Sequence, residues 1–337
     1  MSGIIRRPAT GLALAVILCA GALAVVLVAT PSPIFDLDRH AVPKELVLHL
    51  TALAGLILLL PGWRWVEAGM VEWLLALYLG WSALSGLVGE NHWLAFRAWG
   101  ISFAGVVVFL MARNARRAGY GRWVLAGLAG AATVAALGGL LQAYGADWAL
   151  LQGARPPGGT LGNRNFLAHL AVISLPVVGV ATINSERRRW SWWLGIVALG
   201  LLAAIIVLTR SRAAWLAGLV ALGVAALAAW RARGLGDRPR HRVLFGALAV
   251  GVLAALLLPN RLAWNTRTPY RDSLTGLMNY QDGSGRGRLI QYRNTLELVR
   301  RNPVFGTGPG NWMVEYPLVA TPGDPSYAGA DPIPTNP

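Results

Sequence analysis

Apolar residues along this chain fall into long blocks, separated by short stretches in which arginine, glycine and proline concentrate. Each block approaches or exceeds the roughly 18 residues that a helix needs to cross a hydrocarbon core about 30 Å thick, and none alternates with period two as the strands of a closed barrel do. The pattern predicts an all-α integral membrane protein, a polytopic helical bundle. About nine spans are expected, at roughly 11–29, 46–60, 70–88, 94–111, 122–143, 165–183, 190–208, 213–229 and 243–258, each bounded by charge, Gly or Pro. The second is short, so it either stands with little tilt or runs past Pro61.

After the last block the pattern changes. Residues 1–258 read as the transmembrane bundle, and residues 259–337 as one large outer loop. Within that loop Leu289, Tyr292, Leu296 and Val299 recur at helical spacing between about Arg288 and Arg301, while Arg293, Glu297 and Arg300 face elsewhere, the pattern of an interfacial helix lying on a membrane surface. Asn302-Pro303 ends it. The chain stops at Ile333-Pro334-Thr335-Asn336-Pro337 in the middle of the loop, so the sequence reads as truncated.

Composition narrows the class further. With 55% hydrophobic and 13% charged residues the chain is too apolar for an ordinary soluble domain. A net charge of +15 would point to nucleic acid in a soluble protein, but here the arginines sit in loops between apolar blocks, where they set membrane orientation, and no nucleic-acid partner is expected. Arg6 and Arg7 precede an apolar run from Gly11 to Val28 that resembles a signal peptide, including Ala22-Leu23-Ala24 as a cleavage-like site, yet the run exceeds a typical h-region and is read as a span. The single cysteine, Cys19, lies inside that run, so no disulfide within the chain is expected.

Placing Arg6 and Arg7 in the cytoplasm makes alternate loops cytoplasmic. They then hold Arg64, the cluster Arg113, Arg116, Arg117 and Arg122, the run Arg187-Arg188-Arg189, and Arg231, Arg233, Arg238, Arg240 and Arg242, as the positive-inside rule requires. The arginines that orientation does not require lie outside: Arg155, Arg164, Arg210, Arg212, Arg286, Arg288 and Arg293. Arg210 and Arg212 occupy a tight turn between two spans, where each guanidinium either snorkels to the headgroups or meets an anion. The planar guanidinium fork suits a lipid phosphate or pyrophosphate.

Arg155 opens a second outer feature, Arg155-Pro-Pro-Gly-Gly-Thr-Leu-Gly-Asn163-Arg164-Asn165-Phe166, whose glycines permit close backbone approach. Asn163 and Asn165 either cap the next helix, Asn165 alone sufficing, or hydrogen-bond a sugar. In the last loop, Gly306-Thr-Gly308-Pro-Gly310-Asn311-Trp312 offers a glycine-rich turn for a phosphate, without the strand and lysine of a P-loop. The histidines His40, His49, His92, His169 and His241 show no metal-ligand spacing, so neither a metal nor another cofactor is expected. His169 reads as a histidine packed and hydrogen-bonded between helices, or else as a base.

These stretches, in this order, resemble the O-antigen ligase and O-antigen polymerase superfamily, membrane glycosyltransferases of the GT-C type. The resemblance rests on Gly159-Thr-Leu-Gly-Asn-Arg-Asn-Phe-Leu-Ala168, Thr209-Arg-Ser-Arg-Ala-Ala-Trp215, Gly287-Arg288-Leu-Ile-Gln-Tyr292 and Asn302-Pro303-Val-Phe-Gly306-Thr-Gly308-Pro-Gly310-Asn311, over the second half of the chain. It implies transfer of a glycan from a polyprenyl diphosphate carrier to an acceptor hydroxyl at the periplasmic face of a bacterial inner membrane, with the N-terminus cytoplasmic and without nucleotide sugar or metal. The acceptor is then a growing polysaccharide, lipid A core or a protein, as in an O-antigen ligase, a polymerase or a protein O-glycosyltransferase, and membrane lipids are partners. On this resemblance Arg212 and Arg288 are the catalytic arginines, and Arg155 matches an arginine before the Gly-Thr-x-Gly-Asn motif. Arg155, Arg164, Arg210, Asn163, Asn165, Gly308 and Gly310 fall to substrate binding. Tyr292 stands where the family carries tryptophan, and the family's loop histidine, its proposed general base, does not occur before Pro337.

Two readings from other classes compete. A flippase or transporter for lipid-linked oligosaccharides also needs basic diphosphate sites, but Glu67, Glu72, Glu90, Asp147 and Glu186 lie in loops or near span ends, and no symmetric halves are visible. A non-catalytic scaffold rests only on the absent histidine.

Overall fold

The computed structural model describes residues 8–30, 38–62, 69–152, 155–231, 238–264, 266, 268–276, 283–321 and 324. Arg6, Arg7, Arg64, Glu67, Arg233 and Ile333-Pro334-Thr335-Asn336-Pro337 lie outside them. Twelve α-helices are present among the described residues: α1 (Pro8–Leu27), α2 (Asp38–Leu59), α3 (Met70–Val88), α4 (His92–Arg117), α5 (Gly121–Ala143), α6 (Arg164–Ile183), α7 (Trp190–Thr209), α8 (Arg212–Arg231), α9 (Arg238–Leu257), α10 (Pro269–Thr275), α11 (Gly283–Arg301) and α12 (Trp312–Glu315). Eight of the described helices are long and apolar enough to cross a membrane, and a ninth apolar segment, Arg212–Ala225, is shorter. Every expected span thus falls on one helix, and the protein is a multi-pass helical membrane protein.

The second span is where the expectation needs correcting. It is not short: α2 starts at Asp38 and runs through Pro43. Proline has no N–H to donate to the carbonyl four residues back, which here belongs to Arg39. That carbonyl instead accepts from the Thr30 N–H at 3.0 Å and from the Thr30 hydroxyl at 3.3 Å. The lost helical bond is replaced from outside the helix.

The described residues group into two compact units. One is drawn from Met1–Leu58 and Leu110–Leu274, the other from Leu59–Phe109 and Thr275–Pro337. This partition follows packing, whereas a division at residue 258 separates span-forming from loop-forming chain. In the first unit α7 is central, packing against α9, α6 and α5, and α1 lies along α5. Small residues let these helices approach: Ala131, Ala132, Ala135, Ala136 and Ala143 of α5, Ala168 and Ala171 of α6, and Ala198 and Ala204 of α7 are buried beside Leu167, Leu202, Ile205 and Leu208.

In the second unit α11 is packed through Asn294 and Leu298, both nearly inaccessible, and through half-buried Gln291. Leu289, Tyr292, Leu296 and Val299 are exposed on another face. The helix therefore has the apolar outer stripe that the spacing predicts, and it holds itself in place through a different, partly polar row.

Candidate functional site

The site begins with a glutamine at the end of an apolar helix. Gln142, in the last turn of α5, accepts through Oε1 from the N–H groups of Gly158 and Gly159 at 2.8 and 2.9 Å, and donates through Nε2 to the Leu151 carbonyl. One side chain thereby ties Leu151, Gly158 and Gly159 to the end of α5. Gly159 and Gly162 have φ of +55° and +69°. A Cβ on Gly159 would come within 3.1 Å of the Gly139 nitrogen, and one on Gly162 within 2.2 Å of the His40 ring. Only glycine fits these positions.

His40 closes the loop from the other side. Its Nδ1 lies 3.0 Å from the Thr160 carbonyl and its Nε2 3.1 Å from that of Gln152. Lys44 donates to the Thr160 carbonyl at 2.9 Å and to that of Val28, and the Thr160 hydroxyl donates to the Val26 carbonyl. The ends of α1 and α2 are thus tied to the Gly-Thr-x-Gly stretch through side chains.

The same stretch delivers two arginines. The Arg164 N–H donates to the Arg155 carbonyl at 2.9 Å, so the two residues bracket the loop as neighbours. Asn163 caps α6: its φ of −136° and ψ of 125° are extended, and its Oδ1 accepts from the Asn165 N–H at 2.9 Å. The cap is therefore Asn163 and not Asn165, which already lies inside the helix with its N–H consumed by that cap.

Arg210 reaches the cluster from the α7–α8 turn. It is the one non-glycine residue with positive φ among the described residues, at 52°, a conformation that costs roughly 1–2 kcal/mol. Its Nε donates to the Ser273 hydroxyl at 2.9 Å, which in turn donates to the Pro269 carbonyl at 2.9 Å. Its guanidinium lies 4.6 Å from the Trp264 ring centroid, and that of Arg164 lies 5.4 Å from it. Burial holds the Arg210 guanidinium below its ordinary pKa and Arg212 acts the same way, against the opposing influence of Asp272 and Tyr270. Burial also pushes the neighbouring Tyr270 phenol up, and that of Tyr144 at the end of α5.

Beside Trp264 is a cavity of about 240 Å³ lined by Arg155, Pro156, Arg164, Leu262, Ala263 and Trp264, with Arg210 outside its lining. Among the described residues neither Arg155 nor Arg164 has a carboxylate partner. A polar cavity with unpaired guanidinium groups on its wall is suited to an oxyanion. Arg212, the first residue of α8, is half-buried and does not line it.

In the second unit the other expected residues take different places. Arg288 is exposed on α11. Gly306, Gly308 and Gly310 all have positive φ, and Gly308 and Gly310 permit a close approach to the α3–α4 hairpin: a Cβ on Gly308 would stand 3.1 Å from the Ser85 carbonyl oxygen, and one on Gly310 2.8 Å from that of Leu94. Asn311 is fully buried there, accepting from the Asn91 N–H at 2.9 Å and donating to the Asn91 carbonyl at 3.3 Å. Beside this turn Asn294 donates to the Tyr316 hydroxyl at 3.2 Å and to Asp324 Oδ2 at 3.2 Å, and Tyr316 donates to the same carboxylate oxygen.

Residues 196–331 match the model of the O-antigen ligase family. The matched segment contains Arg210, Arg212, Trp264, Arg288, Gly308 and Gly310, and it bears out the resemblance to the O-antigen ligase and polymerase superfamily. It supports an activity of the O-antigen ligase or polymerase type, with a lipid-linked glycan and an acceptor as substrates in general terms. Arg155, Asn163, Arg164 and Asn165 lie before the matched residues. No curated protein and no solved structure matches the chain.

Sequence reasoning missed Gln142 and Trp264. A signal for the first was present, since Gln142 is a lone amide in an apolar run next to Tyr144-Gly145. His169 is exposed on α6, so the packed histidine expected between helices is not found. Its place in the helix turns it away from the buried row of Leu167, Ala168 and Ala171.

Proposed function

We propose that this protein transfers a glycan from a polyprenyl diphosphate to an acceptor hydroxyl at the periplasmic face of the inner membrane, as an O-antigen ligase or a related polymerase or protein O-glycosyltransferase. The observation that carries the reading is the meeting of Arg164 and Arg210 on the Trp264 ring beside a cavity whose wall includes Arg155 and Arg164, both lacking a carboxylate partner among the described residues.

In this reaction the acceptor oxygen bonds to the anomeric carbon while the bond from that carbon to the diphosphate oxygen breaks. The bonding pair leaves with the diphosphate, and the hydroxyl proton passes to a base. Guanidinium groups fixed in place stabilise the charge that gathers on the leaving group, a contribution often worth a factor of about 10²–10³ in rate per donor. Loss of an arginine in that role should therefore lower turnover far more than it lowers membrane insertion.

Arg212, at the start of α8, and Arg288, on α11, are assigned to catalysis in this proposal; Arg155, Arg164 and Arg210 bind the diphosphate, and Asn163 and Asn165 support the loop that presents Arg155 and Arg164. The test is transfer by the full protein in proteoliposomes from a fluorescent polyprenyl-diphosphate glycan, offered in turn a polysaccharide, lipid A core and protein acceptor. Arg212→Ala and Arg288→Ala should each lower transfer about 100-fold or more with insertion intact. Transfer at wild-type rate in both would remove these residues from the mechanism.

A further inference from the structure

The arginine cluster has a part that neither charge nor sequence motif explains. Trp264 meets two guanidinium groups with its ring, 5.4 Å from that of Arg164 and 4.6 Å from that of Arg210, and also forms part of the wall of the 240 Å³ cavity. Its indole nitrogen is buried and has no hydrogen-bond acceptor among the described residues. An indole nitrogen can only donate, and a buried donor without an acceptor is costly, so such groups are nearly always paired. The cavity that the Trp264 residue borders is also bordered by two arginines, so an anionic oxygen seated there, reached by a small rotation of the indole, is the acceptor best suited to this donor.

The two cations also have to be kept close together. Like charges repel, and each lowers the other's preference for its charged form. A ring face attracts a cation through its quadrupole, and Trp does this best among aromatic side chains. Arg210 is further fixed through Ser273, whose hydroxyl is anchored on the Pro269 carbonyl. Arg164 has its main-chain N–H held by the Arg155 carbonyl. With both backbones fixed, the ring that both guanidinium groups contact sets how far apart they stand.

Building on the diphosphate reading above, we propose that Trp264 is the positioning residue of the site: its ring holds Arg164 and Arg210 at a fixed spacing, and its indole N–H donates to an oxygen of the bound diphosphate. The ring and the N–H can be separated by substitution. Trp264→Phe keeps an aromatic face and removes the donor, whereas Trp264→Leu removes both.

The experiment is equilibrium binding of radiolabelled farnesyl diphosphate to the full protein in nanodiscs, with farnesol as the phosphate-free control and thermal stability recorded for each variant. Trp264→Phe should weaken farnesyl diphosphate binding about ten-fold and Trp264→Leu about a hundred-fold, while farnesol binding stays at the wild-type value. A purely structural role would weaken both ligands alike, and that result overturns the proposal. Wild-type diphosphate affinity in Trp264→Phe overturns the hydrogen bond, and in Trp264→Leu the whole assignment. Arg164→Ala and Arg210→Ala separate the two levels of the argument. If they lose diphosphate binding while Trp264→Leu does not, the tryptophan proposal alone falls; if all three bind as wild type, the diphosphate reading falls with it.

Discussion

Replacing Gln142 with Leu tests whether the loop that presents Arg155 and Arg164 is held by one side chain. In the structure Gln142 satisfies three backbone groups: the N–H of Gly158, the N–H of Gly159 and the carbonyl of Leu151. Gly158, Gly159 and Leu151 are all buried, so water cannot readily take over. A buried group left unpaired costs about 1–3 kcal/mol, and relaxation of the loop recovers part of the total, so a net loss of about 3 kcal/mol is expected for the two amides together. At 1.4 kcal/mol per factor of ten this corresponds to opening of the loop about 100-fold more often. Amide hydrogen exchange in nanodiscs reads that opening directly. Peptides covering residues 149–163 should exchange about 100-fold faster in Gln142→Leu, while peptides from α7 keep their protection. Gln142→Glu, which retains the acceptor for both glycine amides, should recover much of the loss. Wild-type protection in Gln142→Leu would show that the loop is held by something other than this amide.

Further outcomes follow from the same structure. Gly310→Ala places a methyl group 2.8 Å from the Leu94 carbonyl oxygen on a residue with φ of +75°. The left-handed conformation alone costs an alanine about 1–2 kcal/mol, so the melting temperature should drop by several degrees, whereas Gly306→Ala, with open space around its Cβ, should be limited to that conformational cost. Burial raises the Tyr144 and Tyr270 phenols. The folded protein then holds protons that the unfolded chain has released once the pH passes about 10, so stability falls as pH rises above that value, and Tyr270→Phe should flatten the fall in melting temperature. A slope unchanged in Tyr270→Phe would remove that phenol from the effect.

The spans were legible because lipid imposes a length and an apolar composition that few other structures share. The start of α2 was not, since Pro43 normally marks a boundary and the Thr30 contact that compensates for it comes from another part of the chain. Arg210 was legible as a costly charge in a tight turn between spans, and Arg155 and Arg164 as arginines that membrane orientation does not require. Their arrangement was not: Arg164 and Arg210 meet on Trp264, a residue with no local pattern to distinguish it from the chain's other tryptophans. The glycine turn at 306–310 was legible as a turn, and its packing was not. Read locally it offers a phosphate cradle, yet Asn311 and Asn91, 220 residues apart, pair across the backbone and account for the close approach by packing within the unit. Helix α11 lies between these cases, because its outer stripe followed from spacing while the buried Asn294 network depends on Tyr316 and Asp324 beyond the helix end.

The central claim is that the cluster of Arg155, Arg164 and Arg210 around Trp264 is a diphosphate site. A structure of the full protein in nanodiscs with a polyprenyl diphosphate bound tests it most directly. The account predicts phosphate oxygens about 3 Å from the guanidinium groups and from the Trp264 indole nitrogen, within the cavity beside them. A diphosphate seated elsewhere, with this cluster unchanged and unoccupied, would contradict it.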